Sequence, residues 1–208
     1  HYFIYWLYIY CRVPIIRRKD KIKVLFVLAE LASWKTELLY LAMLKHSRFN
    51  PILGVTDNTV EAPGSKPILM DYLKKKSYDF IDLDKDEKSI NKINPDFIIY
   101  YKPYNDSYQP AHIFKKHAKS IPIGMGYAFF VASQKQHYVN PLYYYAYQFY
   151  VENEMIKRAF RKNLSYKAHN VKVLGTPISD LLLLDETNFE DPWKDKSGKK
   201  RIIYAPHH

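Results

Sequence analysis

Cysteine is almost missing from this chain: Cys11 is the only one in 208 residues. No internal disulfide can staple the fold and no Cys-based zinc cage can stand in for a core, so the chain reads as an intracellular protein. Glycine is scarce as well, at six, and the turn after the first apolar strand, Ala29-Glu30-Leu31-Ala32-Ser33, contains none. Dinucleotide folds need glycines in that turn to let the backbone approach the pyrophosphate, and a P-loop needs Gly-Lys-Ser or Gly-Lys-Thr. Both readings fail, as do the zincin, serine-hydrolase and calcium-loop readings, for want of HExxH, GxSxG or an EF-hand pattern. His46, His112, His117, His137 and His169 show no metal-ligand spacing between neighbours.

What is present is a globular composition, 48% hydrophobic and 25% charged, with 20 Tyr and a net charge of +11. Such a charge invites a nucleic-acid reading. Its distribution argues against one. Residues 12–23 hold six basic side chains against one acid and residues 194–201 hold five against one, so nine of the eleven excess charges sit in two short stretches. The body is nearly neutral, and no helix-turn-helix, RRM or zinc-knuckle pattern accompanies the charge.

The first stretch follows HYFIYWLYIYC, which has no charged residue. About twenty apolar residues are needed to cross a bilayer, so this run alone is too short. Three readings fit it: the last turns of a longer span or hairpin, an interfacial helix with Arg17, Arg18 and Lys19 on an anionic leaflet, or an aromatic helix packed on its own domain. A secretory signal fits poorly, because the basic residues follow the apolar run. Both ends read as cut. The chain opens on His1 and closes on a strand-like RIIYAP followed by His207 and His208, which are either natural residues, the favoured reading because no linker precedes them, or the start of a tag.

Between the ends, strand and helix patterns alternate. KIKVLFVLA (21–29) is a near-continuous apolar run, the mark of a strand covered on both faces. Ser33 is placed to cap the following helix, with Trp34, Leu38, Leu41 and Ala42 at helical spacing. Asn50-Pro51 closes that unit. PILGVT, YDFIDL, PDFIIYY, IPIGMGYAFF, a short run at 149–151 and VKVLG read as further strands. Residues 68–76, QPAHIFKKHAK, the Tyr-rich stretch, 153–162 and 178–184 read as helices. This alternation implies βαβ units, hence an α/β fold with a Rossmann-like parallel sheet and helices on both faces. The Tyr cluster at 143–150 reads as a half-buried helix packed on the sheet, with sugar stacking or membrane contact as the alternatives.

In open α/β sheets ligands bind at the carboxyl ends of the strands, which singles out Glu30, Thr56, Asp57, Lys102, Gly124, Gly126, Gly175 and Thr176. Gly124-Met125-Gly126 places two glycines around one residue at a strand end, where either a ligand or another chain segment comes close. Lys102 offers a cation to a phosphate or carboxylate at the same edge, or is a solvated loop lysine. His137 lies between the glycine turn and the Tyr cluster.

Gly175-Thr176-Pro177-Ile178-Ser179-Asp180 resembles the G-x-P-x-x-D element that ends the first domain of glycosyltransferases with two Rossmann-like domains, and RIIYAP at 201–206 looks like the strand opening their second domain. With the polar linker between them, the pattern is most similar to the CDP-glycerol glycerophosphotransferase family of teichoic-acid and capsule synthesis. The resemblance implies the N-terminal half of a GT-B-type transferase: a membrane-proximal segment at 1–20, an acceptor-side Rossmann-like domain at 21–190, a linker at 191–200, and the first strand of a nucleotide-binding domain at 201–208. It implies transfer of a polyol phosphate from a CDP-activated donor to a polymer or lipid-linked acceptor, at the cytoplasmic face of a bacterial cell membrane, with neither metal nor resident cofactor. Family members carry Trp-His-Gly-Thr-Pro after the fifth strand, where this chain has Gly124-Met125-Gly126-Tyr127-Ala128. The expected histidine base is absent, leaving His137, His207 and His208 as candidate catalytic residues. The last two are also candidates for phosphate contact. The candidate substrate-binding set is Lys102, Gly124, Met125, Gly126, Tyr127, Gly175 and Thr176. Residues 1–208 alone are expected to show no turnover and weak or no binding of a CDP-alcohol. Two other classes stay open: a sugar-nucleotide epimerase-type enzyme of the same fold, and a noncatalytic α/β binding module.

Overall fold

The computed structural model describes residues 2–58, 60, 62–104, 107–126, 130, 135–177, 179, 200 and 202. Seven strands form one parallel sheet: β1 (Ile22–Leu28), β2 (Phe49–Val55), β3 (Phe80–Asp82), β4 (Phe97–Tyr100), β5 (Ile121–Met125), β6 (Gln148–Val151) and β7 (Val171–Val173), in the order β3-β2-β1-β4-β5-β6-β7. The helices are α1 (Tyr2–Arg17), α2 (Glu37–Lys45), α3 (Ser65–Lys75), α4 (Ser89–Ile93), α5 (Pro141–Tyr145) and α6 (Glu154–Asn163).

The apolar run of β1 explains the layering. Val24, Phe26 and Leu28 point into one core with Ile9, Val13 and Ile16 of α1, Tyr40 of α2, and Leu69 and Leu73 of α3. Leu25, Val27 and Ala29 point into the other, with Ile90 of α4, Leu142 and Tyr143 of α5, and Ile156 and Phe160 of α6. A strand with both faces covered has no solvent side and therefore no polar alternation. Fully burying each such side chain contributes roughly 1.5–3 kcal/mol. Helix α1 shares this core with Tyr101, Ile121 and Met125, and Tyr5 donates to the Tyr145 carbonyl at 2.6 Å. Of the readings of the N-terminal segment, packing on the domain is seen for one face of α1, while the other face is open.

Three local expectations need correction. Ser33 does not cap α2; its hydroxyl donates back to the Glu30 carbonyl at 3.2 Å, and the helix begins at Glu37 with Trp34 buried ahead of it. Pro51, expected to open the second strand, is its third residue, because β2 starts at Phe49 and takes in Asn50 as well. It pairs with Val24 of β1 on one side, while β3 joins β2 only from Leu53 onward, so the proline occupies an edge position. The expected helix 109–119 is two 3₁₀ turns, Pro110–His112 and Phe114–Lys116, separated by extended Ile113. Asn153 caps α6 by accepting from the Ile156 N–H at 2.9 Å, and Tyr143 of the Tyr cluster is buried against Phe149 and Phe160. Most of 178–184, the linker 191–199 and the run 203–208 lie outside the described residues.

Candidate functional site at the carboxyl edge of the sheet

The chain runs outward from β1 in one direction through β2 and β3, and in the other through β4 to β7. The loops leaving β1 and β4 therefore part from each other, and the crevice between them is where open α/β sheets bind ligands. Two charged side chains meet there. Lys102 Nζ lies 3.1 Å from Glu30 Oε1, and their side chains are only 7% and 14% exposed. Asn58, from the end of β2, donates to Glu30 Oε2 at 3.4 Å. The turn carrying Lys102 is held by Tyr108, whose hydroxyl accepts from the N–H groups of Tyr101 and Lys102 at 3.1 and 2.9 Å. A lysine held against a carboxylate in a mostly buried wall suits the binding of a phosphate or carboxylate group.

Beside this pair, Asp84 gathers four donors. Thr56 Oγ1 donates at 2.7 Å, the Asp57 N–H at 2.8 Å and Lys66 Nζ at 2.7 Å, and His112 Nε2 lies 3.2 Å away. Lys66 also donates to Asp82 at 2.5 Å. Burial disfavours the Asp84 carboxylate, but the hydrogen bonds from His112, Lys66, Thr56 and the Asp57 N–H outweigh it and hold its pKa well below the usual range. His112 Nδ1 and Asp57 Oδ1 are buried in this cluster without a hydrogen-bond partner.

Across β5 and β6 the glycine turn meets the Gly-Thr-Pro element. Met125, Gly126, Tyr150, Glu152, Gly175, Thr176 and Pro177 line one shallow crevice, and Glu152 Oε1 accepts from the Phe130 N–H at 2.7 Å. Gly175 has φ +87°, the left-handed region in which glycine is favoured. Gly124 is different: it faces Phe149 of the neighbouring strand, into whose ring a Cβ would project. Close approach by another chain segment accounts for this glycine.

The structure therefore groups Met125, Gly126, Gly175 and Thr176, and places Lys102 at the switch point. His137 lies on the 3₁₀ turn Lys135–Tyr138, whose Tyr138 is buried against Phe130 and Phe160; among the described residues no hydrogen bond joins it to the Glu30–Lys102 pair. Tyr127, His207 and His208 lie outside the described residues. Sequence reasoning missed Asn58, Lys66, Asp84, His112 and Glu152. The strand-end rule that picked Thr56 and Lys102 would also have picked Asp84 and Glu152, each within two residues of a strand's carboxyl end.

No protein-family model matches the chain, and no curated protein matches it. Solved structures do. A protein assigned as a UDP-N-acetylglucosamine 2-epimerase from Listeria monocytogenes aligns with a TM-score of 0.58 at 14% identity, over 84% of this chain and 50% of its own. A second UDP-N-acetylglucosamine 2-epimerase aligns at 0.56 with 16% identity, over 85% and 53%. The S. aureus protein MnaA, solved with UDP, aligns at 0.52 with 12% identity, over 82% and 48%. The chain spans about half the length of these structures. At such identities the likeness is one of fold, and the seven-stranded parallel sheet is the Rossmann-like α/β architecture of a GT-B-type half.

Proposed function

We propose that this chain is the first half of a two-domain GT-B-type enzyme acting on a nucleotide-linked small molecule, with the reacting part of the substrate seated at the carboxyl edge. The observation that carries this reading is the buried Glu30–Lys102 pair at the switch point between β1 and β4. Lys102 serves as the cation for the substrate's phosphate. Glu30 holds its ammonium group in place and is freed to act as a proton acceptor when the phosphate takes its place. The glycine turn and the Gly175-Thr176 turn form the adjoining wall, and no metal or resident cofactor is called on.

Two reactions fit, each with its own support. The fold likeness to UDP-N-acetylglucosamine 2-epimerases supports epimerisation of a sugar nucleotide. The resemblance of Gly175 to Asp180 to the CDP-glycerol glycerophosphotransferase element supports transfer of a polyol phosphate to a polymer or lipid-linked acceptor. Their products differ. Epimerisation inverts one sugar carbon and needs no acceptor; transfer from CDP-glycerol forms a phosphodiester on the acceptor and releases CMP. The test incubates the full-length protein containing this chain with UDP-N-acetylglucosamine, and separately with CDP-glycerol and a polyol-phosphate acceptor, followed by ¹H and ³¹P NMR. An inverted sugar supports the first reaction and CMP with a lengthened acceptor supports the second. If neither nucleotide turns over or binds, the chain is a noncatalytic α/β module and the proposal fails.

A further inference from the structure

Helix α1 carries apolar residues on opposite sides, and the sheet takes only one of them. Trp6, Ile9, Val13 and Ile16 recur at helical spacing and are buried. The opposite side presents Phe3, Ile4, Leu7, Tyr10 and Ile15, each between 54% and 78% exposed. A helix lying on a sheet ordinarily turns polar residues outward. Here a continuous apolar strip faces outward instead, of the kind that marks an interaction surface.

Along one flank of that strip runs a groove of about 890 Å³, between α1, α4 and the segment leading into β5. Arg12, Lys92, Lys116 and Lys119 line it and no acidic side chain does. Lys92 is paired with Asp86. Among the described residues no carboxylate pairs with Arg12, Lys116 or Lys119, and Arg12 Nε is buried without a hydrogen-bond partner. Tyr8 donates to the Lys119 carbonyl at 3.2 Å, tying the groove wall to the helix. Exposed Arg17 and Arg18 continue the positive charge at the end of α1. The groove lies where the chain enters β4 and β5, the sheet edge opposite the Glu30–Lys102 crevice.

We propose that this side of the molecule docks on an anionic lipid bilayer, with Phe3, Ile4, Leu7, Tyr10 and Ile15 at the acyl-chain boundary and lipid phosphates in the groove. The apolar strip alone would suit a second copy of the chain, and the basic groove alone would suit a nucleic acid. An apolar strip flanked by cations has the layering of a bilayer surface, acyl chains beneath phosphates. At 16 residues α1 is about 24 Å long, and because its buried side packs on the sheet it lies along the surface of the domain, so its outward side would rest lengthwise on the bilayer. The carboxyl-edge crevice stays clear of the lipid, so this inference stands whatever reaction the crevice performs.

Flotation of the whole chain with vesicles of phosphatidylcholine alone, and of phosphatidylcholine mixed equally with phosphatidylglycerol, tests it. The expected result is strong flotation with the mixed vesicles and little with the neutral ones. K116A/K119A should lower partitioning roughly thirtyfold, about fivefold for each lysine near an anionic surface. I4D/L7D should abolish it. Both variants change exposed side chains and should melt with the unaltered protein by circular dichroism. Equal flotation on neutral and anionic vesicles, or undiminished flotation of I4D/L7D, overturns the proposal. So does an absence of flotation accompanied either by a dimer that I4D/L7D dissociates, or by RNA binding that K116A/K119A removes.

Discussion

Gly124 separates a packing role from a ligand role, because what a side chain would meet there is known. An ideal Cβ at position 124 falls 2.2 Å from Phe149 Cδ2 and 2.8 Å from Cε2, against an ordinary carbon contact of about 3.5–4.0 Å. Relief requires the Phe149 ring to move by more than about 1 Å. It has nowhere to go. Phe149 is 1% exposed, and its ring centre lies 4.6 Å from that of Tyr143, 5.6 Å from Phe160 and 6.2 Å from Phe130. Gly124→Ala is therefore an overpacking substitution at the upper end of its usual cost, about 3 kcal/mol. In a domain of this size each kcal/mol lowers Tm by about 2–4 °C, so the fall should be about 6–12 °C. Thermal melting by circular dichroism measures it. Phe149→Leu withdraws the ring edge, and the double variant should lose about 1–2 kcal/mol less than the two single losses together. Gly175→Ala is the control: with φ +87° and nothing within 4 Å of its Cβ, it should lose about 1–2 kcal/mol through the backbone alone, with no rescue by Phe149→Leu. Should G124A melt within about a degree of the parent while substrate binding falls, the clash argument is wrong and the position serves a ligand.

Lys102→Met strands Glu30 in a site where its side chain is 14% exposed, so it should cost about 3–5 kcal/mol; adding Glu30→Gln should recover part of that loss in urea unfolding, and simple additivity would show that the two do not interact. Burial lowers the His117 pKa to about 4, against a hydrogen bond to the Ala111 carbonyl that raises it, with neighbouring His112 lowering it further. The unfolded chain, with a His pKa near 6.5, then takes up the proton first, and stability should fall by about 3 kcal/mol as pH drops from about 6.5 to 4, a slope that His117→Gln should flatten. Asp84 adds a second arm: its depressed pKa gives stability that is complete above about pH 4 and lost below it, so Asp84→Asn should be the less stable protein at neutral pH and should show a flatter profile in acid.

The strands were legible because being buried on both faces leaves a mark in sequence: KIKVLFVLA and PDFIIYY have no polar alternation to confuse with a helix. The stretch at 109–119 was not, although its residues suit a helix. Two of its carbonyls are taken by side chains. In a helix Ala111 and His112 would accept from residues 115 and 116; here His117 Nε2–H donates to the Ala111 carbonyl at 2.9 Å, and the Tyr100 hydroxyl donates to the His112 carbonyl at 2.8 Å. Side-chain hydrogen bonds to backbone carbonyls compete with the helix ladder and carry no periodicity. The same holds for the site. Glu30 and Lys102 were each visible as strand-end residues, but their pairing depends on β4 lying beside β1, which only the reversal of strand order brings about. The Asp84 hub draws on Thr56, Lys66 and His112, from three separate stretches, and no local motif announces it.

The sheet also divides the chain's cations into two kinds. At the carboxyl edge they are neutralised in place, Lys66 by Asp82 and Asp84 and Lys102 by Glu30. At the amino edge Lys19 is likewise paired with Asp96 and Lys92 with Asp86, but the exposed Lys116 and Lys119 have no carboxylate partner among the described residues. Cations held in ion pairs with little exposed side chain create almost no field at a distance, and act only on a group that reaches them; open surface cations act over a Debye length, about 10 Å at 0.1 M salt. The two edges should therefore answer salt differently. Raising NaCl from about 0.05 to 0.5 M should release the protein from anionic vesicles, since the Debye length shrinks severalfold, while leaving nucleotide affinity at the crevice nearly unchanged. If both affinities fell together, the Glu30–Lys102 pair would be acting as solvated charges, and the mostly buried wall assigned to the crevice would not exist.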